Sequence, residues 1–345
     1  MKRSYARLAT SADWFSVAPD VWGLKHIMVN MYMIYSSAEK KWFLIDTGLK
    51  WSAPKIRKMA DDLFWPDTRP AAIILTHGHF DHVGSVAQLA DEWNVPVYAH
   101  IMEVPYLTDM STYPPPDPTA GGGGITAISW IFPNDAINIS DHVKPLPEDG
   151  SIPGLPEWKY IYTPGHSPGH ISLYRESDGV LIAGDAFVTT RQESVIAVLR
   201  QQQKLSGPPR YFTCDWEAAA KSVNTLAQLE PEVVATGHGK PMYGETMRES
   251  LHELAENFEA LAVPPHGRYT HDPAAADEGG VTYIPPVNRR VPLPYIIAGI
   301  AILAVVSWIT FGRRRATAIP APQLPRLAKL NGIGKHLQKA VPVEA

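Results

Sequence analysis

Residues 76–82, with the sequence Thr-His-Gly-His-Phe-Asp-His, hold three histidines and one aspartate within six positions. Neutral imidazole and carboxylate groups are ligands that suit a borderline divalent ion such as zinc. The apolar run 71–75 before them predicts a buried strand, and residues 83–93 after them predict a helix. A polar, histidine-rich turn is the alternative, but four ligands at this spacing favour a metal site at a strand end.

Other polar residues that can bind or support a metal also follow apolar strands. The strands predicted over 41–45, 180–183 and 233–235 are followed by Asp46, Asp185 and His238, and His166 lies in a loop between two further strands. Because strand ends in helix-covered sheets share one edge, we expect these loops to converge on a single site.

The rest of the pattern alternates strands with helices, which predicts an α/β fold. Further strands are predicted over 21–35, 73–75, 96–99, 158–163 and 171–174, and helices over 51–64, 83–93, 215–229 and 247–261. Residues 103–150 are rich in proline and glycine and cannot hold one long element. We interpret them as a loop-rich insertion that covers the site.

Length and composition indicate a chain with a full core. Its 345 residues are 45% apolar and 19% charged, with a net charge of -4. These values argue against general disorder and give no overall attraction to nucleic acid. The single cysteine, Cys214, excludes an intramolecular disulfide and favours a reducing compartment. No apolar run follows the basic N-terminus, so no secretory signal is predicted.

The chain resembles the metallo-β-lactamase-fold hydrolases. The motifs that carry the resemblance are those at 76–82, 164–166, 184–185 and 237–239, and they fall in the family's order between residues 21 and 261. The wording of residues 163–170, Thr-Pro-Gly-His-Ser-Pro-Gly-His, is most similar to the glyoxalase II-like and acyl-homoserine-lactonase-like branches. The fold implied by the resemblance is a four-layer αβ/βα sandwich, two packed sheets with helices outside.

The resemblance also implies two divalent metal ions, with zinc as the default and iron or manganese as alternatives. The implied ligands are His77, His79 and His166 for the first ion, Asp81, His82 and His238 for the second, and Asp185 as a bridge. Asp46 and His170 are interpreted as residues that hydrogen-bond the ligand loops. Asn30, on the strand before Asp46, is a weaker candidate for the same role of hydrogen-bonding a ligand loop.

Two such ions can share one water molecule and lower its pKa toward neutrality, which produces hydroxide at pH 7. Asp185 and Asp81 are the predicted catalytic residues, because one would bridge the metals and the other would orient the hydroxide or receive its proton. We therefore predict a binuclear hydrolase whose partner is a small-molecule thioester, lactone or other small ester.

Three other functions stay open. A nucleic-acid or cyclic phosphodiesterase of the ribonuclease-like branch would be expected to carry glycine where Phe80 stands, together with a basic face, and neither is evident. An iron-dependent persulfide dioxygenase would leave the second metal position incomplete. A non-catalytic membrane scaffold would have no need of seven intact ligands. Nucleic acid is accordingly not an expected partner.

The C-terminal region differs in composition from the rest. Residues 295–311 carry no charge over 17 positions, and at 1.5 Å per residue they would form roughly 25 Å of helix, the short end of what spans a bilayer. The predicted parts are a hydrolase domain over 1–270 with the insertion 103–150, a Pro-rich linker over 271–293, a transmembrane helix over 294–311 and a basic tail over 312–345.

This division predicts a protein anchored in a membrane by one C-terminal helix. The lone cysteine and the missing signal favour a cytoplasmic catalytic domain. The larger cluster of arginines follows the apolar segment, which by the positive-inside rule favours a cytoplasmic tail and an external hydrolase domain. These signals conflict, so the orientation stays open.

Overall fold

The structure, a computed structural model, describes residues 14–286. Its first large sheet contains seven strands in sequence order. They are β1 (Trp14–Ala18), β2 (Val21–His26), β3 (Val29–Ser36), β4 (Lys41–Ile45), β5 (Ile73–Ile74), β6 (Val97–Ala99) and β7 (Val143–Pro145). Strands β1 to β4 pair antiparallel, whereas β4 to β7 pair parallel.

The second large sheet contains five strands in the order β12-β11-β10-β9-β8. They are β8 (Lys159–Tyr162), β9 (Ile171–Arg175), β10 (Val180–Ile182), β11 (Val233–Ala235) and β12 (Met242–Tyr243). Strands β10 and β11 are parallel, and the other pairs in this sheet are antiparallel. Strands β13 (Ala275–Asp277) and β14 (Gly280–Tyr283) form a separate two-stranded sheet.

Side chains alternate between the two faces of each large sheet, as the period of a strand requires. On β4, Phe43 and Ile45 belong to the apolar core that joins the two sheets, whereas Trp42 and Leu44 belong to the core beneath the helices. On β10, Leu181 likewise points away from the other sheet into a third core. Each sheet is thus buried on both faces, which explains its nearly continuous apolar strands.

Helices cover the two outer faces. The helices are α1 (Ala53–Leu63), α2 (Phe80–Val83), α3 (Val86–Trp93), α4 (Val104–Leu107), α5 (Gly124–Ala127), α6 (Val195–Arg200), α7 (Trp216–Ala227), α8 (Gly244–Glu256) and α9 (Phe258–Leu261). Helices α1 and α3 pack on the first sheet, and α7 and α8 on the second. The four-layer αβ/βα sandwich expected from the sequence is therefore confirmed.

The boundaries of several elements differ from those predicted. The helix predicted over 83–93 is divided into α2 and α3, because Gly84 N donates to the carbonyl of Gly48 at 2.7 Å instead of continuing the helix. The strand predicted over 21–35 is the hairpin β2–β3. Part of the predicted linker 271–293 forms β13 and β14, and Val281 N donates to Ser111 Oγ at 3.0 Å. This bond ties the hairpin to the insertion 103–150.

The prediction of a membrane-anchored protein with a transmembrane helix is corrected. Among residues 14–286, no helix is long and apolar enough to cross a membrane. The longest there, α8, has 13 residues, whereas a bilayer needs roughly 20. The predicted segment 294–311 and the basic tail 312–345 lie outside the described residues. The membrane partner and the membrane localisation are therefore not retained.

Candidate metal centre

The ends of strands from both sheets meet at one buried place. Asp46 follows β4, residues 76–82 follow β5, Asp185 follows β10 and His238 comes shortly after β11. The loops are joined directly, since Gly237 N donates to the carbonyl of Gly184 at 2.8 Å. All nine site residues predicted from the sequence are buried: Asp46, His77, His79, Asp81, His82, His166, His170, Asp185 and His238.

Seven of these residues form groups whose ligand atoms lie within 4.8 Å of one another. The three groups are His77, His79 and His166; His77, His82 and Asp185; and Asp81, His82 and His238. Because His77 and His82 each belong to two groups, the sets overlap and form one continuous centre. Imidazole nitrogens and carboxylate oxygens in such groups suit divalent transition-metal ions.

Three buried atoms in this centre lack a hydrogen-bond partner: His77 Nε2, His82 Nε2 and Asp185 Oδ1. A buried polar atom without a partner is costly, so such atoms are rare unless an ion or water satisfies them. The opposite nitrogens of both imidazoles are occupied, because His77 Nδ1 contacts Thr76 Oγ1 at 3.0 Å and His82 Nδ1 contacts Asp46. The free nitrogens are therefore suited to binding a metal ion.

The first group presents neutral imidazoles. His79 Nδ1 and His166 Nε2 lie 3.0 Å apart. Burial, reinforced by the neighbouring His82, lowers the pKa of His79 to about 3. Burial and neighbouring histidines also hold the pKa values of His77 and His166 well below the usual range. These rings keep their lone pairs at neutral pH, as metal ligands must.

Asp185 lies at the middle of the centre. Its Oδ2 is 3.1 Å from His238 Nε2, 3.5 Å from His166 Nε2 and 3.6 Å from His82 Nε2. Burial opposes its ionisation, but His238 and His82 outweigh burial and hold its pKa well below the usual range. Asp185 is therefore an anionic group that faces ligands of both predicted metal positions.

Asp81 completes the second group. Its Oδ2 lies 3.6 Å from His238 Nε2. Burial raises the pKa of Asp81, and the nearby His82 and His238 only partly offset this effect. Burial also opposes protonation of His238, yet Asp185 and Asp81 outweigh it and raise the pKa of that ring. A bound cation would replace the proton in the same field of carboxylates.

His170 supports Asp185 through the backbone. Its Nε2 accepts a hydrogen bond from Asp185 N at 2.9 Å, and its Nδ1 lies 2.9 Å from Thr163 Oγ1. Burial lowers the pKa of His170 to about 4, so the ring is neutral near pH 7 and can accept this bond. The structure thus places His170 against the loop that carries Asp185.

Asn30 holds the loop of His238. Its Nδ2 donates to the carbonyls of Thr236 at 2.9 Å and Gly239 at 2.7 Å, and its backbone N donates to the carbonyl of Gly237 at 2.8 Å. Asn30 lies on β3 of the first sheet, whereas His238 follows β11 of the second. This residue therefore ties the two halves of the site together.

Glu103 is a further residue of the site, which the sequence did not single out. Its Oε2 accepts from Gly78 N at 2.9 Å and from the hydroxyl of Tyr113. Its Oε1 accepts from Ser167 Oγ at 2.7 Å and Gly169 N at 2.8 Å. The side chain is fully buried and joins the loop of His77 and His79 to the loop of His166. A lone acidic residue within the apolar stretch 101–107 was the available signal.

Comparison with known proteins identifies the family. The sequence model described as "Metallo-beta-lactamase superfamily" matches residues 25–238. The chain belongs to the metallo-beta-lactamase superfamily. This superfamily was the one predicted from the motifs, and the prediction is confirmed at that level. The narrower glyoxalase II-like branch stays a prediction.

Two relatives of this superfamily member come from Bacillus subtilis (strain 168). "Probable metallo-hydrolase YflN" is 48% identical over 252 residues, which cover 73% of this chain and 96% of that protein. "Probable metallo-hydrolase YybB" is 29% identical over 206 residues, which cover 59% and 79%. Among solved structures, a beta-lactamase domain protein from Burkholderia ambifaria has a TM-score of 0.51 at 21% identity, covering 74% of this chain and 80% of that one. At 21% identity, the similarity to the Burkholderia ambifaria protein shows a shared fold only.

Together, the family and the clustered ligands describe a metallo-hydrolase of the metallo-beta-lactamase fold whose His and Asp groups can hold divalent metal ions. The clusters do not distinguish zinc from iron or manganese, because all three accept nitrogen and oxygen ligands.

Proposed function

We propose that the protein is a binuclear metal-dependent hydrolase that cleaves a thioester, a lactone or another small carbonyl ester. The observation that carries the proposal is the position of Asp185, whose Oδ2 lies within 3.6 Å of His82, His166 and His238. One carboxylate that faces ligands of two adjacent groups is suited to bridging two cations.

Each metal position would have its own ligands. His77, His79 and His166 would hold the first ion, Asp81, His82 and His238 the second, and Asp185 both. Zinc is the proposed metal, with iron or manganese as alternatives. Two such ions would polarise a carbonyl and lower the pKa of a water molecule toward neutrality.

The chain's own residues would then orient the reaction. An Asp81 oxygen not used as a ligand would accept a hydrogen bond from the attacking water and take up its proton. His170 would keep Asp185 in place through the bond to its backbone N. Asp46 would orient His82, and Asn30 would orient the loop of His238.

The surroundings of the centre favour an uncharged organic ester over a nucleic-acid phosphodiester. The ring of Phe212 stacks on His79 with their centroids 4.3 Å apart, and Phe80 lies 6.2 Å from Phe212. Aromatic carbon beside the reacting groups accommodates an apolar substrate group, whereas the flanking phosphates of a nucleic acid are usually bound by cationic side chains.

The test is metal content per chain of the full-length protein, purified without added metal, together with turnover of thioester, lactone, carbonyl ester and phosphodiester substrates. The proposal expects about two equivalents of metal and turnover of a carbonyl substrate. One iron per chain without ester turnover would favour the dioxygenase alternative, and turnover of the phosphodiester alone would favour that class. A metal-free protein would leave the scaffold as the better hypothesis.

Asp185→Ala sharpens this test. The variant should lose at least one of the metal equivalents and about 100-fold or more in kcat/KM, since a bridging ligand should matter more than an outer hydrogen-bond partner. Asp91→Ala is the matched control, because Asp91 is an exposed aspartate that pairs only with His142 at 2.8 Å among the contacts described. Full metal content and turnover in Asp185→Ala would contradict the binuclear proposal.

A further inference from the structure

An apolar wall lies beside the metal centre. We use this name for Met28, Phe80, Phe132, Val198, Tyr211 and Phe212, which belong to one apolar cluster. The cluster is assembled from the β2–β3 turn, the metal motif, the insertion, α6 and the loop before α7. These segments run from residue 28 to residue 212 in the sequence, so it is the fold that brings the wall together.

The wall begins at the metal ligands themselves. Phe212 stacks on the ring of His79 with a centroid distance of 4.3 Å and an interplanar angle of 23°. Phe132 continues the aromatic surface, 5.6 Å from Phe80 and 6.2 Å from Phe212. On another side, the carbonyl of Met28 accepts from His238 Nδ1 at 2.7 Å. An apolar group held on the wall would therefore lie next to the reacting centre.

Large apolar side chains that neighbour the wall in sequence are exposed. We call them the apolar rim: Ile27, Trp130, Ile131, Ile196 and Leu199, whose exposed fractions run from 39% to 71%. Ile27 precedes Met28, Ile131 precedes Phe132 and Leu199 follows Val198. Ile196 and Leu199 are three positions apart on α6 and so share a face of that helix. Exposed apolar side chains on the segments that carry the wall indicate a binding surface there.

Ile27 adds an independent observation. It is the first residue of the two-residue turn between β2 and β3, and its φ is +60°. A β-branched residue is strained at positive φ, where hairpin turns usually carry glycine, asparagine or aspartate. This strain is not compensated by burial, since 60% of the side chain is exposed. A bound apolar ligand would cover the exposed part of this isoleucine.

We propose that the apolar wall and rim bind a hydrocarbon chain of the substrate, so that the enzyme acts preferentially on esters or thioesters with extended acyl chains. This inference rests on the proposed hydrolase function. The occupant is the substrate because the wall is continuous with the ligand His79, and a chain attached to a carbonyl at the metal centre would extend along the wall toward the rim.

The test uses the full-length holoenzyme and p-nitrophenyl esters from acetate to octanoate, each below its micelle concentration. Burial of each methylene should raise kcat/KM about fourfold until the chain outgrows the wall. The double variant Ile196→Ser/Leu199→Ser should reduce the octanoate-to-acetate ratio of kcat/KM at least about tenfold. Both side chains are exposed on α6, so this change should leave folding intact.

Trp65→Ser is the matched control. Trp65 is 67% exposed, like the rim residues, but it lies between α1 and β5 and outside the apolar cluster of the wall. Its ratio of octanoate to acetate turnover should equal that of the wild type. Two parallel measurements test other occupants of the rim. Light scattering gives the molecular mass and tests for a second copy of the chain, and binding to phosphatidylcholine vesicles tests for a lipid surface.

The outcomes separate this inference from the proposed function. The inference would be overturned if p-nitrophenyl acetate is turned over but kcat/KM does not depend on chain length. It would also be overturned if the double variant leaves that dependence unchanged. Either result would leave the hydrolase proposal standing. A rim variant that changed only the molecular mass or only vesicle binding would also overturn the inference. No turnover of any ester by the metal-loaded protein would instead count against the proposed function.

Discussion

His82 Nδ1 and a carboxylate oxygen of Asp46 lie 2.8 Å apart, although the two residues are 36 positions apart in sequence. The same carboxylate accepts from Thr76 N and Thr76 Oγ1, each at 2.8 Å. Asp46 adopts a φ of +58°, an uncommon conformation that aspartate tolerates better than most residues. The strand end of β4 thereby fixes both the start of the histidine motif and the ring orientation of one potential ligand.

Asp46→Asn should weaken metal binding without abolishing it. The asparagine oxygen can still accept hydrogen bonds, but the amide nitrogen that replaces the other carboxylate oxygen cannot, so at least one bond from Thr76 or His82 is lost. Loss of an outer hydrogen-bond partner typically lowers metal affinity by about 10–100-fold. Competition with a chelator measures the change. Asp91→Asn is the control, because Asp91 makes a bond of equal length, 2.8 Å, to the partly exposed His142. Equal affinities in the two variants would contradict the role assigned to Asp46.

Gly237→Ala should disrupt the centre sterically. A Cβ at this position would overlap Asp185 Oδ1 and come within 2.8 Å of His82 Cε1. The variant should therefore lose metal and turnover together, and the loss should exceed that in Asp46→Asn. Gly279→Ala is the control, since a Cβ there meets only Asp277 Oδ1 at 3.1 Å. Wild-type metal content in Gly237→Ala would mean that the loop can move away from Asp185.

The residues that the structure brings together in the candidate centre stood out in the sequence because their signals are local or fall at strand ends. The motif 76–82 is a short stretch of sequence, and Asp185 and His238 follow apolar strands that the pattern identifies. The supporting contacts are not local. Glu103 lies 64 positions from Ser167, and Asn30 lies 209 positions from Gly239. A single sequence read for periodicity contains no signal for such pairings.

Other differences have the same origin. The helix predicted over 83–93 is divided at Gly84 because Gly84 N bonds to the carbonyl of Gly48, a tertiary contact that overrides helix propensity. The hairpin of β13 and β14 formed where prolines predicted a linker, and its bond to Ser111 comes from 170 positions away. The membrane prediction came from the uncharged run 295–311, which lies outside the described residues.

Glu103→Gln should lower metal affinity by loosening two ligand loops at once. Each carboxylate oxygen faces a backbone N–H, Gly169 N at Oε1 and Gly78 N at Oε2. A glutamine must turn its amide nitrogen toward one of them, which leaves a buried donor without an acceptor at a cost of about 1–3 kcal/mol.

The measurement is metal affinity by chelator competition together with the free energy of unfolding of the metal-free protein. Glu193→Gln is the matched control, because Glu193 is also a buried glutamate but accepts a single backbone bond, from Arg210 N at 3.1 Å. Suppose that both variants lost the same amount of stability and that Glu103→Gln kept its metal affinity. Glu103 would then have a purely structural role.

Cys214 should be unreactive in the native protein. The thiol is buried, and burial, with a smaller contribution from Asp215, raises its pKa to about 12. At pH 8 the thiolate fraction would then be about one in ten thousand, and the thiolate is the reactive form. Because the pKa is raised on folding, the thiol stabilises the fold below about pH 9 and this contribution is lost as the pH rises toward 12.

Reaction with 5,5′-dithiobis(2-nitrobenzoate) measures this accessibility. One equivalent should react promptly in urea, since the chain has a single cysteine, and the native protein should react orders of magnitude more slowly. The Sγ lies 3.6 Å from the carbonyl of Gly165, beside His166. Removal of metal should therefore speed the reaction if metal binding holds the His166 loop closed. Prompt reaction of the metal-loaded native protein at pH 8 would mean that this loop opens readily and would contradict the buried position of the thiol.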